Sequence, residues 1–544
     1  MRRGIYKKVY KGRIMKPNII IINPDQMRAD GMGHLGNPAA HTPNLDALAA
    51  VGVSFSSAYC QSPVCVPSRC SFFTGLYPHT NGHRTMGHLM RPHEENLFGD
   101  MKKAGYYTVS SDRGDLMAGQ YPKYHKKLID EYLRYKWPSK PIKHFNPALG
   151  EPESEGYYSF LNGIIPAKQP NGTARNTDDL TVRAAIRAIK KRPKNKPFFV
   201  FTGLFYPHPP YQIEKKYYDL IDKSKLPERI PNIKDADGKP LMERGLIDGM
   251  RAGEWGEERV NEIRAVYLAM CAKVDEQVGQ IIEALKSEGI YDNTAVLFFS
   301  DHGDYTGDFG LVEKAQNCFP ECLVNVPLLI KPPKNTPLDS GVNDSLAELT
   351  DICATVADMA GISIERSHFS KSLLPTMADK AVPHREYVCC EGGRLPGEAH
   401  CSEYENINPR DRYYPRLKLQ SCENGEHTKA VMLRTKRYKY IRRLQETDEF
   451  YDMEKDERFN LINSPEYARQ IKETETLMLD LFISTCDAVP ADIDERTPRE
   501  YLWNNITALG LPPFTGKLLT GLISLTGKTV SGFLNMIKKK FIKE

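Results

Sequence analysis

The sequence has 544 residues, 40% of them hydrophobic, which is enough apolar material for a large core in one main domain and a smaller one. The net charge of +5 is concentrated at the ends, because residues 1–16 hold seven basic side chains and no acid, and residues 517–544 hold six lysines and one glutamate. The region between them is therefore acidic overall. This distribution argues against a nucleic-acid-binding protein.

The basic N-terminus is not followed by the apolar stretch and cleavage site of a secretory signal peptide. No stretch reaches the about 18 apolar residues that a membrane-spanning helix requires. We therefore expect a cytoplasmic protein without a transmembrane span. In that reducing compartment the twelve cysteines would remain thiols.

Four short apolar runs predict buried strands, because their apolarity is continuous rather than alternating. They lie at 18–23, 198–203, 295–300 and 326–331. Apolar residues from Ile263 to Leu285 recur at steps of three and four and predict a long helix. This alternation indicates an α/β fold, in which helices sandwich a large mixed, mostly parallel sheet.

The C-terminal part of the sequence has a different pattern. "AVMLRTKRYKYIRR" and "DEFYDM" predict short antiparallel strands of a smaller α+β subdomain. Segments 130–175 and 212–260 are rich in Pro, Gly and charge and predict long loops over one face of the sheet. Residues 517–544 would form an interfacial membrane helix, or a terminal helix packed on its own domain or on a second subunit of a homo-oligomer, and their glycines favour packing.

Two of the predicted strands end in polar clusters. Asp25 and Gln26 follow the first strand, and Asp301 and His302 follow the third. Ligands of open α/β sheets gather at the carboxyl ends of strands, so these side chains could meet around one cation. Oxygen ligands with one imidazole suit Ca²⁺ first and Mg²⁺ or Mn²⁺ next. The alternative is that these carboxylates cap helices or lie in loops without an ion.

In the segment "CVPSRCSFFTG" Cys65 stands two residues before a proline and four residues before Arg69. Read alone, Cys65 could be a low-pKa thiolate nucleophile near that arginine. A buried structural role describes Cys271 and Cys353 better, because Cys65 lies among many polar residues. The segment therefore predicts a functional cysteine.

"CVPSR" followed by "TG" resembles the signature of the type I sulfatases, members of the alkaline phosphatase superfamily. Four ordered blocks, including "PFFVFTGLFYPHPPY" and "SDHGDYTGDFGLVEK", extend the resemblance over most of residues 17–470. It implies an alkaline phosphatase-like fold. We divide the chain into a basic extension at 1–16, a catalytic sulfatase domain at 17–380, a C-terminal α+β subdomain at 381–500 and an apolar and basic tail at 501–544.

The resemblance also implies a reaction. In this family a maturation enzyme, the formylglycine-generating enzyme, oxidises the cysteine to formylglycine, which becomes a geminal diol on hydration. One diol oxygen, made more acidic by the metal, attacks the sulfur of a sulfate ester and expels the alcohol. The second hydroxyl then loses its proton, and the sulfate leaves as the aldehyde forms again. By this resemblance Cys65 is the precursor of the nucleophile.

The resemblance also implies roles for residues of this sequence that occupy positions matching those of the family. The expected metal ligands are Asp25, Gln26, Asp301, His302 and the modified Cys65. Arg69 would steady the diol, Lys314 would contact the sulfate oxygens, and His208 would assist departure of the alcohol. Gln26 stands where many relatives have a second aspartate, which should weaken metal binding.

The segment at 105–116 departs from the family. Many sulfatases carry Gly-Lys-x-His there, whereas Arg113 and Asp115 occupy the nearest positions here. Arginine can replace lysine as an anion contact, and Asp115 could accept from a substrate hydroxyl or orient Arg113. His83 is close to Cys65 in sequence and is a candidate for substrate binding or for an ordinary loop role.

These observations favour a metal-dependent sulfatase that acts on a sulfate monoester of a small sulfated carbohydrate. The Arg, Tyr and Glu content of the loops and of residues 385–425 suits a hydroxylated substrate. Two alternatives remain open. One is a phosphonate monoester or phosphodiester hydrolase on the same scaffold, and the other is a catalytically silent, sulfatase-like binding protein.

Overall fold

The computed structural model of the protein describes residues 16–111, 114–133, 150–152, 154–166, 177–233, 238–403, 408–422 and 424–489. The chain divides into two compact units. The first comprises residues 1–364 and 368–487 and contains all the elements discussed below. The second comprises residues 365–367 and 488–544, of which 365–367, 488 and 489 are described.

Continuous apolar runs and β-branched residues produce the strands of the first unit. The strands are β1 Asn18–Asp25, β2 Val53–Phe55, β3 Ala58–Tyr59, β4 Tyr107–Ser111, β5 Glu131–Tyr132, β6 Leu161–Ile165, β7 Phe198–Pro207, β8 Tyr211–Glu214, β9 Thr294–Phe299, β10 Leu328–Lys331, β11 Gly341–Asn343, β12 Ala347–Glu348, β13 Tyr387–Gly392, β14 Ala430–Thr435, β15 Tyr438–Arg443 and β16 Glu449–Asp452.

Helices occupy much of the sequence between these strands. The α-helices are α1 Pro43–Ala50, α2 Cys65–Thr74, α3 Pro78–Asn81, α4 Leu97–Lys103, α5 Pro122–Leu128, α6 Asp178–Lys191, α7 Lys215–Tyr218, α8 Leu241–Met250, α9 Glu257–Ser287, α10 Glu321–Val324, α11 Asp351–Ala360, α12 Leu374–Ala378, α13 Tyr414–Ser421 and α14 Ala468–Thr485.

The main sheet has the strand order β11-β2-β10-β9-β1-β7-β4-β5. Its central strand β1 pairs in parallel with β7 and β9, whereas β10 runs antiparallel to both of its neighbours. Every residue of β1 and β9 is buried, as their continuous apolarity predicts. The expected mixed, mostly parallel sheet is confirmed.

A separate sheet of four antiparallel strands, in the order β13-β14-β15-β16, forms the C-terminal subdomain together with α14. The tight turn between β14 and β15 leaves only two residues outside the strands. The predicted α+β character of this region is therefore confirmed. The domain limits at residues 380 and 500 stay predictions, and the tail at 501–544 lies outside the described residues.

The long helix predicted from Ile263 to Leu285 is confirmed as α9, which packs against α6, β7 and β8. The prediction of a long loop over 212–260 was partly wrong, because this segment contains α8. There, apolar side chains such as Met242 and Leu246 recur at helical spacing and are buried. Within the described ranges, no helix combines the length and apolarity needed to cross a membrane.

Candidate active site

The carboxyl ends of two neighbouring parallel strands bring the predicted acidic residues together. Asp25 is the last residue of β1, and Asp301 follows β9 by two positions. With Cys65 and His302 they form one group, all buried, whose potential ligand atoms lie within 4.8 Å of one another. The predicted meeting of Asp25 and Asp301 is therefore observed.

Helix α2 positions the cysteine and the arginine of the signature. Cys65 is the first residue of α2, after Val64 in extended conformation, and every residue of this helix is buried. Arg69 lies four residues later and therefore on the same face. The Sγ atom of Cys65 lies 3.5 Å from Asp25 Oδ1 and 3.2 Å from His302 Nε2. Cys65 thus faces both strand ends.

Arg69 ties the two carboxylates to each other. Its Nε donates to Asp301 Oδ2 at 2.8 Å, and its Nη2 donates to Asp25 Oδ2 at 2.9 Å. These three side chains are almost completely buried, so the charge-assisted bonds act in a medium of low dielectric. One positive charge compensates two negative charges, so the three bonded groups keep a net negative charge.

His302 is oriented by the hydrogen bond between its Nδ1–H and the carbonyl oxygen of Gly303, at 2.9 Å. That bond fixes the proton on Nδ1 and leaves the Nε2 lone pair facing Cys65 and Asp25 Oδ1, the latter at 3.6 Å. Burial, acting together with the charge of Lys314 and opposed by Asp301, lowers the pKa of His302. A neutral imidazole is the form that binds metal ions.

This donor set fits a divalent cation, because it offers two carboxylates and a neutral imidazole that converge with residue 65 in a buried cluster of net negative charge. The side chain of Gln26 has different contacts from those of the four clustered residues. Its Oε1 accepts from Lys314 Nζ at 2.7 Å, and its Nε2 donates to Asp304 Oδ2 at 2.7 Å. The role of Gln26 as a metal ligand stays a prediction.

Lys314 lies beside the cluster and is buried. Its Nζ donates to Gln26 and pairs with Glu313 Oε1 at 3.0 Å. Burial disfavours the ammonium charge, but nearby acidic groups, led by Cys65 and Glu313, outweigh it and raise the pKa of Lys314. Lys314 is therefore a fixed positive charge within electrostatic reach of Cys65, as an anion contact requires.

His208 follows β7 at the same end of the sheet and is buried against the ring of Phe205, with 4.9 Å between ring centroids. Its Nδ1–H donates to the carbonyl oxygen of Pro209 at 2.6 Å. This bond places the proton of the neutral ring on Nδ1, so Nε2 can donate only after the ring takes up a second proton. Assistance to the leaving alcohol stays a prediction that requires this protonated form of His208.

The remaining substrate-binding candidates have different positions. Arg113 lies outside the described residues, and Asp115 is half-buried in the segment after β4. His83 donates from Nδ1 to the carbonyl oxygen of His88 at 2.6 Å, and its Nε2 lies 2.8 Å from Glu94 Oε1. Burial works against its charge, but Cys70 and Glu94 raise the pKa of His83 to about 10. A substrate contact by His83 stays a prediction that requires one of these bonds to open.

Several residues around the site escaped sequence reasoning. Tyr211 donates from its hydroxyl to both carboxylate oxygens of Asp304, at 2.8 and 2.9 Å. Arg416 pairs with Glu313, the neighbour of Lys314, and donates to the Lys314 carbonyl oxygen at 3.2 Å. The position of Asp304, two residues after His302, was a usable signal. The contact of Arg416 with Glu313 gave none, because the two residues are 103 positions apart in the sequence.

The comparisons with known proteins agree with this geometry. The sulfatase family model matches residues 17–362, well over half of the chain. The chain belongs to the sulfatase family. The resemblance inferred from the sequence and the assignment to sulfuric ester hydrolases are thereby confirmed.

This sulfatase is 29% identical to an arylsulfatase of Clostridium perfringens over 86% of the chain and 94% of that relative. Among solved structures, the phosphonate monoester hydrolase of Agrobacterium radiobacter superposes with a TM-score of 0.68 at 22% identity, over 86% of this chain and 96% of the other. A protein solved with its substrate D-glucosamine-2-N,6-O-disulfate gives 0.67 at 20% identity, over 88% and 100%. These structures support the alkaline phosphatase-like fold.

Proposed function

We propose that this sulfatase hydrolyses a sulfate monoester of a small sulfated carbohydrate, and that its nucleophile is a formylglycine made from Cys65. The observation that carries the proposal is the buried convergence of Cys65 with Asp25, Asp301 and His302. A maturation enzyme is the implied partner. We propose Ca²⁺ as the resident metal, because oxygen donors dominate the cluster.

A divalent cation held by Asp25, Asp301 and His302 would make a hydroxyl of hydrated formylglycine more acidic. The protein's own side chains have separate tasks. Arg69 holds both carboxylates in place, so little reorganisation is needed when substrate binds. Lys314 supplies positive charge for the sulfate oxygens, and His208 lies at the strand end where the alcohol would depart.

The carbohydrate substrate is supported by two observations. One structurally similar protein binds D-glucosamine-2-N,6-O-disulfate as its substrate. The segment 408–422 also brings tyrosines and arginines next to the site, where Tyr413 packs against Arg416 and against Phe160. Such side chains suit a hydroxylated, charged ligand. The phosphonate monoester hydrolase of similar fold keeps phosphonate monoesters as the second candidate substrate class.

The test uses protein coexpressed with a formylglycine-generating enzyme. Intact mass should show residue 65 lighter by the difference between a thiol-bearing methylene and an aldehyde. Sulfate release is then measured with a panel of sulfated monosaccharides and compared with hydrolysis of a phosphonate monoester. Cys65→Ala is the control and should be inactive. Faster hydrolysis of the phosphonate monoester would favour the second candidate, and an unmodified, inactive protein would refute the proposal.

A further inference from the structure

Three arginines in the segment 408–422 differ in how their charges are compensated. Arg410 is exposed and pairs with the exposed Glu151, with Nη2 3.1 Å from Oε2. Arg416 is buried and pairs with two buried carboxylates, Glu313 and Glu403. Arg412 is also buried, with 4% of its surface exposed, yet among the described residues it forms no ion pair. It is the exception in this segment.

The polar contacts of Arg412 are few. Its Nη2 donates to Asn162 Oδ1 at 2.8 Å, whereas Nε and Nη1 have no hydrogen-bond partner among the described residues. Burial lowers the pKa of Arg412, and Tyr413, Tyr157 and the neighbouring carboxylate of Asp411 only partly oppose this. A buried guanidinium without a hydrogen-bonded carboxylate is costly, because its desolvation is only partly compensated. A ligand anion would supply the missing partner.

Two paths of contacts place Arg412 beside the candidate active site. On one side its sequence neighbour Tyr413 packs against Arg416 and lies near enough to Lys314 to raise the pKa of that lysine. On the other side Asn162 Nδ2 donates to Gln212 Oε1 at 2.8 Å.

Gln212 belongs to β8, which begins three residues after His208. Arg412 is therefore linked through Asn162 to the strand that follows His208, and through Tyr413 to Arg416, which bonds to the Lys314 carbonyl oxygen.

We propose that Arg412 binds a second anionic group of the substrate, a carboxylate or a second sulfate, next to the sulfate ester that is hydrolysed. The fork of a guanidinium matches both kinds of oxyanion. Asn162 positions Arg412 by accepting from one end of the fork, so that Nε and Nη1 remain for the ligand. This inference rests on the proposed function and narrows its substrate class to sulfated sugars of at least two negative charges.

The test compares two matched substrate pairs with the matured protein. One pair is a hexose 6-sulfate and the hexose 2,6-disulfate, and the other is a hexose 2-sulfate and the corresponding hexuronic acid 2-sulfate. The first pair reports a second sulfate and the second pair a carboxylate. We expect kcat/KM to be about tenfold or more higher for the doubly charged member of at least one pair, as for a hydrogen bond to a charged group.

Arg412→Gln should remove this preference mainly by raising KM for the doubly charged substrate, with little change for the singly charged one. Arg412→Lys should restore part of it. Arg410→Gln is the matched control and should keep the preference, because Arg410 is exposed and already paired. Melting curves show whether the variants fold. If Arg412→Gln does not fold, the two substrate pairs measured with the protein of unchanged sequence still test whether a second negative charge raises kcat/KM.

Three outcomes would overturn the inference while the proposed function stands. These are equal kcat/KM within both pairs, a preference that survives in Arg412→Gln, and an equal loss on singly and doubly charged substrates. The failure of the proposed function is different, because no sulfate would then be released from any sulfated sugar, neither from these four esters nor from the wider panel. That result would remove the inference as well.

Discussion

Two clusters of charged residues are built differently, one at the candidate active site and one where the four-stranded sheet of the C-terminal subdomain meets α10. In the candidate active site Arg69 bridges Asp25 and Asp301. In the second, which we call the Lys439 cluster, two cations (Lys439 and Arg434) meet two carboxylates (Glu321 and Glu457). The Lys439 cluster is electrically balanced, whereas the active-site cluster keeps an excess negative charge.

The two clusters show that buried charged residues can serve the stability of the fold in one place and function in another. Lys439 has no exposed surface, donates to Glu321 at 3.0 Å and also pairs with Glu457. Its surroundings raise the pKa of Lys439 despite burial, because the nearby carboxylates favour its charge. A balanced set needs no further ligand. The set of Asp25, Arg69 and Asp301 is more deeply buried and unbalanced, which is costly to the fold alone, and the proposed cation would complete it.

The largest expected effect is that of removing one negative charge from the unbalanced cluster. Asp301→Asn should lower kcat/KM by about a thousandfold and reduce the bound divalent metal, because a cation supplies several kcal/mol of charge stabilisation. Steady-state kinetics and elemental analysis of the purified protein measure both. Asp292→Asn is the matched control, since Asp292 is exposed and precedes the same strand, β9. Unchanged metal content in Asp301→Asn would contradict the comparison.

The balanced cluster should respond in stability instead. Lys439→Met leaves the buried Glu457 and the partly buried Glu321 with one cation and should lower the free energy of unfolding by about 3 kcal/mol. Urea unfolding measures this value. Lys436→Met, on the same hairpin, removes an exposed pair with Asp344 and should cost less than about 1 kcal/mol. If Lys439→Met changed kcat of the folded protein rather than its stability, the distinction between the clusters would fail.

Gln26 lies at the border of the active-site cluster and offers a sharper test. Gln26→Glu replaces a donor to Asp304 by a second carboxylate and should lower the free energy of unfolding by about 1–3 kcal/mol in chelator. If Gln26 belongs to the metal ligands, excess Ca²⁺ should reduce this loss. Gln277→Glu, on α9 away from the cluster, should show no such Ca²⁺ dependence. An equal loss with and without Ca²⁺ would exclude Gln26 from the metal site.

A third kind of buried group tolerates burial by remaining neutral. Burial, with the charges of Arg394 and Arg416, lowers the pKa of His427 to about 3. The unfolded chain binds a proton below about pH 6.5 and the folded protein does not. The free energy of unfolding should therefore fall from pH 6.5 towards pH 3, with His427 contributing roughly 1.4 kcal/mol per pH unit.

The His427 prediction is measured by urea unfolding between pH 6 and pH 4. His427→Gln should show a shallower fall than the unmodified protein, because glutamine does not titrate and can still donate to Gln316 Oε1, the partner of His427 Nε2 at 2.6 Å. His93→Gln is the control, because His93 is exposed. Parallel pH curves for His427→Gln and the unmodified protein would refute the assignment.

The strands and the polar residues that follow them were predictable, since continuous apolarity and strand-end position are local features. The long helix α9 was predictable for the same reason. Helix α8 was missed because the Gly and charge content of 212–260 obscured its apolar spacing. The pairing of Arg416 with Glu313 was unpredictable, because the two residues are 103 positions apart and no local pattern records that contact.

Three features follow from the amino-acid sequence alone, namely the α/β fold class, the signature around Cys65 and the residue types available for a metal site. These depend on side-chain periodicity and on residues close together in the chain. The packing of the folded chain was needed to show that Arg69 bridges Asp25 and Asp301, that Gln26 bonds to Lys314, and that Arg412 is buried without a hydrogen-bonded carboxylate. Compensation of buried charge depends on which distant segments pack together, and strand pairing and helix packing set that arrangement.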